Sequence, residues 1–256
     1  MTHNGPLTTE QERWAAVLHA GSRAALSHHT SATLDGLQRY ADELVHVTVP
    51  HSSSVQSRSF VRVHRARCPP DECDDIHPVH EPPRMRLPRV VVEMARAARS
   101  LDDARGPLAA AVQQGLVRAG DLRDVLRRVG PVPREASLVV ALDDIENGAH
   151  SVLELDFVQL VRECGTPMPH LQTRLLAGGV RRLDATWPAY GVWVEVDGAA
   201  HREDSQWQAD PDRHNEVSVA GQWRANLRFS AHALRRRRTR CGQQLVTALR
   251  QGGWTG

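Results

Sequence analysis

The chain has 256 residues and a formal net charge of +2, and every one of its 32 basic residues is an arginine. Its 41% hydrophobic and 24% charged residues are typical of a globular protein and argue against wholesale disorder, collagen or coiled coil. No apolar run approaches the roughly 18 residues of a membrane span, and the N-terminus lacks the features of a signal peptide, so we expect a cytoplasmic protein without membrane contact.

The first part of the chain shows helix and strand patterns in turn. A helix is predicted from Thr8 to His19, with Thr9 as the cap, and a short helix follows the pair His28 and His29. Residues 44–50 and 60–67 alternate apolar and polar side chains, which predicts two half-buried strands joined as a hairpin. Residues 68–88 are rich in proline and acid, which is typical of a connector.

Residues 89–147 have a helical pattern, and we place a domain boundary near Gly148. The last part predicts the order α-β-β-β-α-β-α. It starts with a helix at Ser151, and its predicted strands and helices are 171–176, 180–187, 192–198, 205–219, 224–230 and an arginine-rich helix ending at Gly252. The predicted class is therefore α/β, with an α+β and helical region at 1–148 and a second domain at 149–256.

Cysteine and histidine patterns indicate no structural zinc. Four cysteines without an export signal are expected to be reduced thiols. The spacing of Cys68, Cys73, His77 and His80 matches compact zinc sites poorly, because two prolines follow Cys68. For His28 and His29, at a helix start, we favour capping or packing over catalysis.

Acidic residues converge in the second domain. Glu195 and Asp197 lie two residues apart on one predicted strand and therefore face the same side, and a short hairpin brings Asp184 beside them. Crowded carboxylates repel unless a cation lies between them, and oxygen ligands favour Mg²⁺ or Mn²⁺. His201 follows closely and could take a proton from a metal-bound water. Taken singly, each residue also fits a turn, strand edge or loop, and Glu154 also fits a capping box with Ser151.

The C-terminal segment is strongly basic. No acid follows Glu216, whereas arginines continue to the end of the chain. Such a segment suits a polyanion, although a solvated helix face is an equal alternative. The arginines predicted to contact nucleic acid are Arg182, Arg224, Arg228, Arg235, Arg236, Arg237 and Arg238.

The segments SVLELDFVQLVREC, RRLDATWP, VWVEVDGAAH, ADPDRHNEV and LRFSAHAL resemble the endonuclease-like domain related to very-short-patch-repair endonucleases, in the PD-(D/E)XK superfamily. The resemblance covers residues 150–254 and implies a restriction-endonuclease-like fold. It implies Asp184 and Glu195 as metal ligands and Glu154 as a helical glutamate near the metal. Asp197 stands where the superfamily usually has lysine, so His201 or Arg182 would have to compensate. Asp210 and Arg213 match a further D-x-x-R-like pattern, or a local ion pair.

The segments LTTEQERWAAVLHAG, LSHHTSATLDGL and PPRMRLPRVVVEMARAA resemble AbiEi-type antitoxins of type IV toxin-antitoxin systems. In these proteins a winged helix normally precedes the first segment. Here the chain starts at that segment, so either the true start lies upstream or the winged helix has been lost.

Together these patterns predict a Mg²⁺- or Mn²⁺-dependent DNA endonuclease. Its catalytic residues would be Glu154, Asp184, Glu195, Asp197 and His201, and DNA would be its partner. The alternative is a regulator that binds DNA or a nucleotidyltransferase-like toxin without cutting, with a degenerate nuclease domain.

Overall fold

The computed structural model describes residues 5–176, 180–197, 217, 219 and 223–256. The chain divides into two compact units, Met1–Asp143 and Asp144–Gly256. Helices and strands occur in both units, which agrees with the predicted α/β class. Within the described ranges, none of the helices combines the length and apolar character that crossing a bilayer requires.

The first unit begins with a three-stranded sheet. Its elements are α1 (Thr9–Ala20), β1 (Ala25–Leu26), α2 (His28–Leu34), β2 (Val45–Pro50) and β3 (Val61–Ala66). Both predicted helices and both longer strands are confirmed, while the two-residue β1 was not predicted. The cap of α1 lies one residue earlier than predicted, because Thr8 and Gln11 form the capping box.

The predicted hairpin between β2 and β3 is wrong. The two strands are parallel, with Val45 opposite Val61 and Pro50 opposite Ala66. Alternation of apolar and polar residues is the same in parallel and antiparallel strands, so the pattern could not decide the direction. The connecting residues 51–60 run back along the sheet, whereas a tight hairpin needs only a two-residue turn.

Four helices follow, as the sequence predicted: α3 (Leu87–Ala97), α4 (Leu101–Gln113), α5 (Ala119–Arg128) and α6 (Glu135–Glu146). Helix α4 contains Pro107 in its interior rather than in its first turn, where proline is common. The structure begins it at Leu101, where the Ser100 hydroxyl accepts the N–H of Asp103. This cap starts the helix early enough that Pro107 lies inside it.

Cys68 and Cys73 form a disulfide, so the prediction of reduced thiols is wrong for this pair. Their spacing is closed by a turn in which Pro69 and Pro70 carbonyls accept backbone N–H groups at 3.1 and 2.9 Å. The prediction rested on the missing export signal, which carries no information on local chain geometry. Cys164 and Cys241 are free, as predicted.

The second unit holds a four-stranded sheet of order β4-β5-β6-β7. The strands are β4 (His170–Leu176), β5 (Val180–Trp187), β6 (Val192–Asp197) and β7 (Ala225–Ser230). Strand β5 pairs antiparallel with both β4 and β6, and β7 pairs parallel with β6. Helix α7 (Val152–Glu163) precedes the sheet, with Ser151 as its cap as predicted. Of the predicted helix at 205–219, Val217 and Val219 are described, and both are helical.

Apolar side chains cover both faces of this sheet. On one face, Phe157 of α7 and Val194 of β6 belong to the large core cluster. On the other, Trp193 packs with Leu183 and Val217. Strand β6 is therefore central and buried, so the residues at its end lie at the margin of the core.

The arginine-rich terminal helix is two helices, not the one predicted. These are α8 (Ala231–Arg236) and α9 (Arg238–Gln251), which are separated at Arg237 by a non-helical backbone with φ −131° and ψ 34°. Like charges three or four residues apart repel on a helix surface, so a break within four consecutive arginines agrees with the composition.

Candidate active site

The carboxylate of Asp184 lies where β5 separates from β6. The two strands pair from Trp187 opposite Val192 to Ala185 opposite Val194. At the next position, the side chain of Asp184 makes the hydrogen bond to β6 in place of the main chain. Its Oδ2 accepts the N–H of Val196 at 2.8 Å. Val196 lies between Glu195 and Asp197 in the sequence. The three predicted acids are thus associated with one short stretch of sheet.

At this point of β5, the side chains switch from one face of the sheet to the other. Residues two apart on a strand normally face the same side, yet Ala185 packs in the large core cluster and Leu183 in the opposite one. On β4, Gln172 occupies the register position opposite Asp184 and has a φ of +50°. That backbone conformation is uncommon for a residue other than glycine, and such strain concentrates at functional sites.

Glu195 is buried and paired with an arginine. It lies opposite Arg228 on the parallel strand β7, and Arg228 donates to Glu195 Oε2 from Nη2 at 2.6 Å and from Nε at 3.1 Å. The Nε atom of Arg228 also lies 3.3 Å from Asp197 Oδ2. Because a buried carboxylate needs an opposite charge or hydrogen bonds, Arg228 explains how Glu195 tolerates 8% exposure. Arg228 was predicted to contact phosphate, but in the structure it pairs with Glu195 and Asp197.

The three acids do not form a three-ligand cluster. Within the described part of the chain, the group of three potential ligand atoms within 4.8 Å of one another is formed by histidines of the first unit, not by these carboxylates. A divalent ion at the acids would therefore use two of them, as the predicted pair Asp184 and Glu195 implies.

Glu154 caps the first turn of α7. Its N–H donates to Ser151 Oγ at 3.1 Å, and its carboxylate accepts the Ser151 hydroxyl and the N–H of His150, each at 3.0 Å. The Ser151 cap is therefore confirmed, whereas in place of the return bond of a capping box the Glu154 carboxylate accepts the N–H of His150. Gln172 Nε2 also donates to Glu154 Oε2 at 2.9 Å. Because Gln172 lies opposite Asp184, one side chain links the capping glutamate to the strand position of the first acid.

Replacing Glu154 with alanine is expected to lower the free energy of unfolding by about 1–2 kcal/mol, because the cap and its buried partners lose their acceptor. Urea unfolding followed by tryptophan fluorescence measures this, since five of the six tryptophans lie in the second unit. Gln159→Ala, on the exposed side of the same helix, is the matched control. Equal losses in the two variants would contradict the capping role.

The acids and Arg228 thus form a charged group at the ends of two parallel strands. No protein family, curated protein or solved structure matches this chain. What these residues do therefore has to be argued from their own geometry and chemistry.

Most of the arginines predicted to contact nucleic acid are exposed. These are Arg182, Arg224, Arg228, Arg235, Arg236 and Arg237, and the Nε atom of Arg235 also lies 3.8 Å from Asp156 Oδ2. Arg238 is instead paired with Glu163, with Nε 2.7 Å from Oε2, and this pairing holds the pKa of the Glu163 carboxyl below its usual value. Across the β4–β5 pair, Arg182 lies directly opposite Arg174, which the sequence had not singled out.

Three predicted residues lie outside the described part of the chain. They are His201, Asp210 and Arg213. Their roles remain sequence-based predictions.

A histidine cluster in the first unit was not predicted from the sequence. It contains His28 from α2, His46 from β2 and His64 from β3. Burial lowers the pKa of His64 to about 3 and lowers the pKa of His28 and of His46, so the three rings are neutral at pH 7. Residues far apart in sequence meet here, and no local spacing could have revealed them.

Proposed function

We propose that residues 149–256 form a metal-dependent DNA endonuclease domain with a restriction-endonuclease-like α-β-β-β-α-β core. The supporting fold feature is the sheet order β4-β5-β6-β7, with three antiparallel strands followed by a parallel one. The observation that carries the proposal is the bond from the Val196 N–H to Asp184 Oδ2, which brings a carboxylate of β5 to the backbone between Glu195 and Asp197.

The donors at this site fit a hard divalent ion. Asp184 and Glu195 offer carboxylate oxygens, the ligands that Mg²⁺ prefers. Both hydrogen bonds from Arg228 to Glu195 go to the same oxygen, Oε2. A carboxylate has two oxygens, so an ion and Arg228 can share Glu195.

Each side chain has a distinct role in this proposal. Asp184 and Glu195 would hold Mg²⁺, which when bound neutralises charge on the phosphodiester and acidifies a water molecule. Asp197 and His201 would orient the attacking water and accept its proton. The chain has no lysine, so a positive charge at this site has to come from an arginine, and Arg228 provides it. The exposed arginines of α8 and the α8–α9 junction contact phosphates and position the duplex without reading its sequence.

The test is incubation of the purified protein with supercoiled plasmid in Mg²⁺ or Mn²⁺, with EDTA as the negative control. Metal-dependent conversion to open circles supports the proposal. Intact plasmid and intact single-stranded DNA under all metal conditions would overturn it.

One observation favours a second function, a regulator that binds DNA without cutting. Arg228 pairs with both Glu195 and Asp197, at 2.6 and 3.3 Å. One guanidinium thus balances part of the charge of the two carboxylates without a metal ion, which a binding domain descended from a nuclease would need. By resemblance, the first 148 residues would then belong to an antitoxin-like protein, and a nucleotidyltransferase-like toxin would be its partner.

Under either function, changing Arg235, Arg236 and Arg237 together to glutamine is expected to weaken DNA binding. The slope of log affinity against log salt should become shallower by about 0.9 for each phosphate that these side chains neutralise in the wild-type complex. Fluorescence anisotropy of a labelled duplex at several salt concentrations measures the slope. Arg127→Gln, an exposed arginine of the first unit, is the control, and an unchanged slope in the triple variant would exclude these arginines from the DNA interface.

A further inference from the structure

Three imidazoles from separate elements meet in the first unit. His28 is the first residue of α2, and His46 and His64 lie on the adjacent parallel strands β2 and β3. One ring nitrogen from each lies within 4.8 Å of the other two. All three histidines lie inside the described range 5–176.

The partners of two rings fix which nitrogen faces the cluster. Asp42 Oδ2 lies 3.0 Å from His46 Nε2, and Ser27 Oγ lies 3.0 Å from His28 Nδ1. With Nε2–H donating to Asp42, His46 directs the lone pair of Nδ1 toward His64 Nε2, 3.0 Å away. A carboxylate that holds the far nitrogen of a histidine is the usual outer partner of metal-ligating imidazole.

A hydrogen bond between His46 and His64 explains their short separation but not the third ring. His28 stacks on His64 with ring centroids 3.5 Å apart, and it does so from a backbone with φ +44°. A non-glycine residue in this left-handed region is strained. The fold therefore maintains strain at the residue that brings the third imidazole to the other two.

A buried hydroxyl without a partner lies beside the same cluster. Thr48 is 1% exposed, and its Oγ1 has no hydrogen-bond partner among the described residues. Thr48 is two residues from His46 on β2, hence on the same face, and it lies opposite His64 in the register. A buried polar group is normally satisfied by protein or by ordered water. A water molecule held on a metal ion at the three imidazoles would satisfy this hydroxyl.

We propose that His28, His46 and His64 bind one Zn²⁺ ion per chain and leave its fourth position for water. Neutral imidazole suits zinc, whereas Mg²⁺ and Ca²⁺ prefer oxygen ligands. Three protein ligands with an open fourth position are typical of zinc sites that activate water. Arg62 shares this face of β3 with His64, and on the pKa of His46 the Asp42 carboxylate acts in the direction opposite to Arg62. Because His64 is half-buried, an ion can reach the cluster from solvent.

The experiment uses the full chain, stripped with a chelator and titrated with Zn²⁺ by calorimetry and with Co²⁺ by visible absorption. One ion per chain and the absorption bands of tetrahedral Co²⁺ are expected. His64→Asn should weaken binding by more than the roughly 10- to 100-fold that removing the hydrogen-bond partner of a ligand costs. The double variant His77→Gln, His80→Gln is the matched control, since those two rings lie 3.8 Å apart in the 68–88 connector.

Folding of each variant is checked by circular dichroism. If His64→Asn does not fold, Asp42→Asn decides, because it removes only the outer partner of His46 and should weaken Zn²⁺ binding about 10- to 100-fold. Failure of the wild-type chain to bind Zn²⁺, unchanged affinity in the deciding variant, or loss of binding in the connector control would each overturn the proposal. None of these outcomes depends on the acids of the second unit.

Discussion

Replacing Arg89 with methionine is expected to lower the free energy of unfolding by about 3–5 kcal/mol, because it removes the closest counter-charge of the buried Glu93 carboxylate and one of the two arginines that pair with Asp75. Arg89 is fully buried and donates to Asp75 at 2.7 Å and to Glu93 at 2.7 and 2.9 Å. It also donates to the carbonyl of Cys68 at 3.0 Å. One guanidinium thus ties the disulfide-closed connector to α3.

The change is measured by urea unfolding followed by far-ultraviolet circular dichroism, which reports on the helices of both units. Arg127→Met is the matched control, because the pair of Arg127 with Asp124 is mostly exposed and should contribute less than about 1 kcal/mol. Arg128 still pairs with Asp75 at 2.6 Å in the Arg89 variant, so Glu93 should account for most of the loss. Similar midpoints for the two variants would show that the buried network contributes no more than a surface pair.

Local patterns predicted the elements well because caps and alternation act over a few residues. Ser151 followed by Glu154 predicted the start of α7, and the structure shows that cap. The direction of β2 against β3 was not predictable in this way, since it depends on the path of the intervening loop. The buried role of Arg89 was equally hidden, because Asp75 is recognisable as its partner only once α3 packs on the connector, although Glu93 lies four residues further along the same helix.

The candidate site also combines residues that could be grouped from the sequence with residues that could not. Asp184, Glu195 and Asp197 could be grouped from the sequence because a short hairpin joins their strands. Arg228 could not be assigned to them, since its strand β7 reaches β6 only after a long intervening segment. The histidine cluster required α2, β2 and β3 together, and each histidine alone resembled an ordinary core or surface residue.

Asp184→Asn and Glu195→Gln are each expected to reduce metal-dependent plasmid nicking by roughly 100-fold or more, because each removes a negative ligand oxygen from the proposed Mg²⁺ site. The amide oxygen of asparagine can still accept the N–H of Val196, and that of glutamine can still accept from Arg228. The sheet should therefore keep its register in both variants. Tryptophan fluorescence during urea unfolding checks this, because Trp193 lies within β6.

Asp124→Asn is the control for these two variants, since it makes the same chemical change at an exposed acid of the first unit. Nicking at the wild-type rate in both site variants would show that the acids are not the metal site. DNA affinity, measured by anisotropy, separates the two proposed functions. Removing a negative charge should leave binding to a polyanion unchanged or stronger, so a folded variant that binds DNA fully but no longer nicks it identifies catalysis. If the wild-type chain binds DNA and does not cut it, and Asp184→Asn changes nothing, the regulator remains.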